Sequence, residues 1–308
     1  MTSRQEIKQA AERIAPFIRV TPVVDLPRGG FGYSGPLTLK LESMQCTGSF
    51  KPRGAFNKIL SSAIPPAGVI AASGGNHGAA VAYAARELGA RAEIFVPEIS
   101  SPVKVARLRD YGAHVTVTGA DYIAALAACN RRALQTGALA VHAYNQPEVI
   151  AGQGTTGLEL AQQAPFLDSV LVACGGGGFA AGIAAWFRGD VRVIAVEPSR
   201  APSLAMALIE GRPLDVEVGG IAADSLGARS IGELAFEIAQ SFIERVVLVE
   251  DDEIRAAQRA LWDEMRAIAE PGGAAALAAL HSGAYKPAPG ERVGVLVCGG
   301  NADPATIC

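Results

Sequence analysis

The sequence predicts an α/β fold of the doubly wound type, and three observations carry that prediction. Apolar, β-rich runs alternate with alanine- and leucine-rich amphipathic stretches from about residue 37 onward, the pattern of parallel sheets covered by helices. No internal repeat, low-complexity tract or long polar linker interrupts the alternation. Half of the 308 residues are hydrophobic and only 19% are charged, enough apolar material for one large or two ordinary cores.

The strands expected are LTLKLE (37–42), GVIAAS (68–73), AEIFVP (92–97), HVTVTG (114–119), SVLVAC (169–174), VRVIAVE (191–197) and RVGVLVC (292–298). Between 68 and 142 the series is compact: strand, helix 78–88, strand, helix 102–111, strand, helix 120–136 and the short strand ALAVH. This suits a small lobe of residues 67–145, with 1–66 and 146–308 forming a larger lobe. The stretch AYNQPEVIAGQG (143–154) is rich in turn formers and is the expected crossing between them.

Composition excludes several classes. Lys plus Arg (27) nearly balance Asp plus Glu (30), and no basic run occurs, so nucleic acid is not an expected partner. The N-terminal MTSRQEIKQAAERIAPFI has no apolar signal-peptide core, and the protein is read as cytoplasmic. Residues 170–187 carry no charge over 18 positions, but five of these are glycine, four of them consecutive. That favours a strand, a tight loop and a buried helix over a membrane span. The five cysteines (46, 129, 174, 298, 308) show no CxxC spacing, so neither a disulfide frame nor a zinc site is expected.

Three loops carry chemistry. In GSFKPRGA (48–55), Pro52 is suited to the first position of a helix over 52–61, which puts Lys51 at or beside the N-cap. There the positive end of the helix dipole disfavours an ammonium and favours a neutral amine or imine, as a nucleophilic lysine requires. In CGGGGFAAG (174–182), consecutive glycines between strand and helix can turn backbone N–H groups into a nest for a phosphate. The same residues fit GxGxxA, with Glu197 closing the next strand 19 residues after Gly178, which is also the dinucleotide-binding pattern. In SGGNHG (73–78), Ser73, Gly74, Gly75, Asn76 and His77 gather donors at a helix start, suited to a small carboxylate. A lysine, a phosphate nest and a carboxylate nest together suggest a phosphorylated aldehyde cofactor and an amino-acid substrate.

GSFKPRGA, SGGNHG, the four-glycine loop, EPGGAA (270–275) and CGGN (298–301) stand in the order seen in pyridoxal-phosphate enzymes of the tryptophan-synthase-β fold. Over essentially its whole length the chain resembles the serine/threonine dehydratases and serine racemase of that group. The resemblance implies a two-lobed fold, each lobe a mostly parallel sheet flanked by helices, and a homodimer. It implies that Lys51 binds the cofactor aldehyde and then acts as the base at Cα, that Phe50 packs on the cofactor ring and that Asn76 bonds its 3′-oxygen. Gly175, Gly176, Gly177 and Gly178 would hold the phosphate, Ser73 to His77 the substrate carboxylate, and Cys298 would face the pyridine nitrogen. A neutral thiol there makes the ring a weaker electron sink, suited to early loss of a β-hydroxyl.

Departures from relatives narrow the expected reaction. Where serine racemase has an opposite-face serine, this chain has Gly74, which disfavours racemisation. The lysine turn differs from the SVKDR-like turn of cysteine synthases, which disfavours β-replacement. The EPSRAPS segment (197–203) aligns with a cation site, here Glu197 and the Ala201 carbonyl; Ser203 replaces an acidic ligand, so a monovalent ion such as potassium is implied. Residues 119–128, which supply an arginine in racemase, are mostly alanine, favouring small or apolar β-substituents. The expected activity is dehydration of L-threonine or L-serine to a 2-oxo acid and ammonia. The alternatives are dehydration of hydroxyaspartate or phenylserine, serine racemisation, a non-catalytic pyridoxal-phosphate-binding protein and an NAD-dependent dehydrogenase. No regulatory domain is expected after Cys308, which implies a catabolic enzyme without feedback control.

Overall fold

In the computed structural model, residues 1–303 are described. The chain opens with α1 (Arg4–Ile14), the short strand β1 (Val23–Leu26), β2 (Leu37–Leu41) and, after two 3-10 turns, α2 (Lys51–Leu60). The middle segment builds β3 (Val69–Ala72), α3 (Asn76–Glu87), β4 (Ala92–Val96), α4 (Pro102–Asp110), β5 (His114–Val117), α5 (Tyr122–Thr136) and β6 (Leu139–Ala140). The chain returns through α6 (Pro147–Gln163), β7 (Ser169–Ala173), α7 (Gly178–Phe187), β8 (Arg192–Pro198), α8 (Ser203–Glu210) and α9 (Ala223–Leu226). It ends with α10 (Glu233–Phe242), β9 (Ile243–Val249), α11 (Asp251–Met265), α12 (Pro271–His281) and β10 (Val293–Val297).

Two sheets result, of six strands in the order β1-β2-β10-β7-β8-β9 and of four in the order β5-β4-β3-β6. Among the described residues β1 is the one strand paired antiparallel, with β2, and the other strand pairings are parallel. The expected α/β class with two mostly parallel sheets is what forms. β10 lies between β2 and β7, with Val293 opposite both Leu37 and Ser169. Because these three central strands run parallel, their carboxyl ends open on one side, where α/β sheets hold their ligands. The lysine turn, the glycine loop and the CGGN segment all follow those ends.

Several expected boundaries shift. The stretch 143–154 is not a loop throughout: α6 begins at Pro147 and only about 141–146 makes the crossing. The glycines there read as turn formers, but Gly154 packs against α7 at Gly182; a Cβ at Gly154 would lie 2.9 Å from the Gly182 carbonyl oxygen, and one at Gly182 would lie 2.6 Å from the Gly154 nitrogen. The glycines serve close helix approach. Helix α2 starts at Lys51, one residue early, so Pro52 is its second residue. Strands β1 and β9 were not expected. β9 follows α10 directly, with no glycine or proline between them, and three of its seven residues are exposed, so neither punctuation nor a continuous apolar run marks it.

Helix α7, GFAAGIAAWF, is apolar on nearly every face and is buried accordingly. Among the described residues no helix is long and apolar enough to cross a membrane; the uncharged run 170–187 divides into β7, a loop and α7. Cys46, Cys129, Cys174 and Cys298 are free thiols, while Cys308 lies outside the described residues. Helix α2 straddles the lobes. Its Ala55, Phe56 and Ile59 enter the core of the small sheet beside Val69, Ala80 and Ile94, whereas Arg53 on the same helix bonds to Thr155 and Glu159 of α6.

Candidate active site

Lys51, the first residue of α2, is half-buried, and its Nζ donates to the Ala143 carbonyl at 2.9 Å. Burial pushes its pKa down to about 8, against the opposing pull of Cys298 and Glu270. The turn before it is fastened to the end of β10: Phe50 N–H donates to the Cys298 carbonyl at 3.2 Å and Gly300 N–H to the Gly48 carbonyl at 2.9 Å. Phe50 stacks on Phe179 of α7, ring centroids 3.9 Å apart. Two residues beyond the lysine, fully buried Arg53 makes a two-pronged bond to Glu42 at 2.7 and 2.8 Å and reaches Glu159 at 3.0 Å. The same cluster takes in buried Lys40, which pairs with Glu159.

The Cys298 thiol is buried and donates to the Gly272 carbonyl at 3.3 Å. Burial, with Glu270 nearby, raises its pKa far above the usual thiol range, so it stays neutral. The sequence-based expectation of an uncharged group at this position fits that state.

Gly175 to Gly178 form the turn from β7 into α7, with Gly177 at φ +85 as the N-cap and no side chain capping the helix. The first N–H groups of such a helix have no carbonyl a turn earlier to bond. A Cβ at Gly176 would fall 2.3 Å from the Tyr144 ring, and one at Gly177 would fall 2.3 Å from Ile231 Cδ1. Only glycine lets Tyr144 and Ile231 wall this nest. Gly176→Ala is expected to cost about 1–3 kcal/mol through overpacking and to weaken pyridoxal-phosphate binding. Urea unfolding and a spectroscopic cofactor titration check the two effects.

In the third loop the Ser73 hydroxyl accepts from Gly75 N–H at 3.2 Å. Asn76, the first residue of α3, donates from Nδ2 to Glu270 at 2.5 Å and accepts at Oδ1 from Asn301 at 2.6 Å. His77 is expected among the donors of this loop, and its side chain is already bonded within the protein. Its ring is buried with Nε2 bonded to the Val141 carbonyl at 2.9 Å, and burial, reinforced by Lys51, pushes its pKa down to about 3. Its part in the loop is to be a neutral anchor. Gly74 offers only hydrogen, and a Cβ there would sit 3.0 Å from Ser100 Oγ.

The fold thus brings together Lys51, Phe50, the four glycines, Asn76 and Cys298, while Glu197 and Ala201 lie behind the glycine loop around the start of α8, where the Ser203 hydroxyl bonds the Gly175 carbonyl at 2.8 Å as well as Glu197. Buried Glu197 accepts from the Ser203 hydroxyl at 3.1 Å and from Leu204 and Ala205 N–H at 2.8 and 2.9 Å, and the Ala201 carbonyl accepts from Ser203 N–H. Burial outweighs these donors and raises its pKa to about 7. Among the described residues no group of three or more His, Cys, Asp or Glu could hold a metal. Sequence reasoning passed over Glu270 and Asn301, although both stand inside quoted motifs. Glu before Pro271 reads as a helix start, and nothing in the local pattern aims it at Asn76.

The residues present fit pyridoxal phosphate on three structural counts. A lysine with a lowered pKa stands beside a neutral thiol, a nest that any Cβ would fill lies at a bare helix N-terminus, and the buried Ser49 hydroxyl, two residues before Lys51, has no hydrogen-bond partner.

Comparison with known proteins agrees. The family model described as "Pyridoxal-phosphate dependent enzyme" matches residues 14–299. An L-threonine ammonia-lyase of Geobacter sulfurreducens is 39% identical over 306 residues, covering 98% of this chain and 76% of that protein. A phenylserine dehydratase of Ralstonia pickettii is 37% identical, covering 96% of this chain and 92% of that protein. Among solved structures, maize serine racemase superposes with a TM-score of 0.93 at 32% identity, over 99% of this chain and 95% of that one. With the motif order, the fold and the lysine-centred site all in accord, the chain belongs to the family of pyridoxal-phosphate-dependent enzymes.

Proposed function

We propose that this protein is an ammonia-lyase that dehydrates L-threonine or L-serine to 2-oxobutanoate or pyruvate and ammonia. The observation that carries the reading is the asymmetry of the site: Lys51 is an amine of lowered pKa on one side, and position 74 of the substrate loop has only hydrogen. The relatives' activities point the same way without distinguishing the substrates.

Lys51, Asn76, Gly175 to Gly178 and Cys298 would hold the cofactor, which supplies an aldehyde for the lysine and the substrate amine and an electron sink at Cα. The backbone from Ser73 to His77 would orient the substrate carboxylate. Lys51 takes the Cα proton, and the β-hydroxyl leaves with a proton as water. The enamine so formed takes up one water and releases ammonia, leaving the 2-oxo acid; no oxidant or reductant is needed. Position 74 itself has no side chain to return a proton to the other face, which favours elimination over racemisation.

A second reading, phenylserine as substrate, draws support from the alanine-rich 119–128 segment and from the Ralstonia relative. The purified holo-protein is given L-threonine, L-serine, L-threo-phenylserine and 3-hydroxyaspartate in turn, with 2-oxo acid and D-isomer assayed together. Oxo acid from threonine or serine without D-serine is the expected result. Turnover of phenylserine alone moves the assignment to the aromatic substrate, and D-serine formed as fast as pyruvate overturns the elimination reading.

A further inference from the structure

Glu270 has no role in the scheme above, yet its carboxylate is only 6% exposed and points into the site. Oε1 accepts from Asn76 Nδ2, and Asn76 Oδ1 accepts in turn from Asn301 Nδ2, which also donates to the Thr47 carbonyl at 2.8 Å. The Thr47 carbonyl only accepts, so the Asn301 group facing it is the amide nitrogen, which only donates; that fixes which way the Asn76 amide faces and turns its Nδ2 to Glu270. One Asn76 N–H is used on Glu270 and the other is left over.

The two ends of this relay belong to different lobes. Asn76 begins α3 in the small lobe, whereas Glu270 stands just before α12, without capping it through its side chain, and Asn301 follows β10 in the large one. The Glu270 carboxylate lies against the CGGN backbone: a Cβ at Gly299 would fall 1.9 Å from Oε1, so only glycine admits the carboxylate there. Other titratable groups around it are Asp224 of α9, Lys104 and Arg107 of α4, and, on the site side, Lys51 and the neutral Cys298 thiol. Burial raises its pKa to about 7, with the Asn76 bond opposing that shift.

We propose that Glu270 is a positioning residue that sets the Asn76 amide with its free N–H toward the cofactor and ties the start of α3 to the large lobe. This rests on the reading that Asn76 contacts the cofactor. Glu270→Ala releases the amide and is expected to raise the Kd for pyridoxal phosphate about tenfold, the effect of one lost hydrogen bond, and to shift the visible absorption of the bound cofactor. Glu270→Gln keeps an acceptor of the same shape and is expected to restore both to near wild type.

The test is a double-mutant cycle on the holoenzyme, using Asn76→Ala, Glu270→Ala and the pair, read by cofactor Kd and spectrum. The expected result is that Glu270→Ala adds nothing once Asn76 is gone. Additive effects, or a Glu270→Ala protein that is merely less stable with unchanged Kd and spectrum, overturn the proposal. An Asn76→Ala protein with unchanged Kd and spectrum overturns the Asn76 reading and the proposal with it. Should Glu270→Ala not fold, the cycle is run with Asn301→Ala, which frees the same amide from its other partner; additivity there overturns the proposal equally.

Discussion

Lys51→Ala is expected to abolish the visible absorbance of the bound cofactor, near roughly 410 nm for the lysine-linked form, and to lower kcat/KM by on the order of 10⁴-fold. Two roles fall together in that variant, the covalent hold on the aldehyde and the base at Cα, so the loss is placed at the upper end of what a single acid-base group supplies. Lys51→Arg keeps the positive charge but has no amine to condense, and should be as inactive. In the apo-protein the Lys51 amine should react with aldehydes half-maximally near pH 8, because its pKa is pushed down to about 8 by burial. The sign follows from the charge: desolvation disfavours the ammonium, so the neutral nucleophile appears below the ordinary lysine range. A Lys51→Ala protein that kept its visible band would remove the lysine from its assigned place.

Arg53→Met should produce the largest loss of stability, about 3–5 kcal/mol. The guanidinium is fully buried between Glu42 and Glu159, with Lys40 completing the cluster. Removing one cation strands carboxylates in a region where water cannot replace the lost partner. Because Arg53 stands two residues from Lys51 at the start of α2, cofactor affinity should fall as well. The double variant Arg53→Met, Glu42→Gln removes one stranded charge and should recover part of the stability, a non-additivity that urea unfolding of the four proteins would read directly. Independent, additive effects would mean that the pair does not interact as the geometry places it.

The lysine turn, the glycine loop and the SGGNHG loop were legible because each is a local device. Pro52 starts a helix, consecutive glycines make a nest, and a strand followed by Gly-Asn opens a helix, all within a few residues. The strands of the parallel sheets were legible for the same reason, being short apolar runs between punctuating residues. The helix over 147–163 was misread at its start because Gly152 and Gly154 look like turn formers until α7 is seen lying against them. Strand β9 escaped because it continues from a helix without a break, and its outward residues hide the apolar pattern.

What the sequence determined by itself was the α/β class, the lysine and the two nests, because helix starts, turns and hydrophobic periods are set by neighbours along the chain. What only the tertiary structure decided was their convergence and the state of each group. Insertion of β10 between β2 and β7 places Cys298 beside Lys51, though 247 residues separate them in sequence. Burial then keeps the thiol and His77 neutral and turns the histidine ring away to Val141. Glu270 and Asn301 meet Asn76 across the lobe junction, and Arg53 meets Glu42 and Glu159. Desolvation and long-range pairing depend on what the folded chain packs around a side chain, which no local pattern of residues contains.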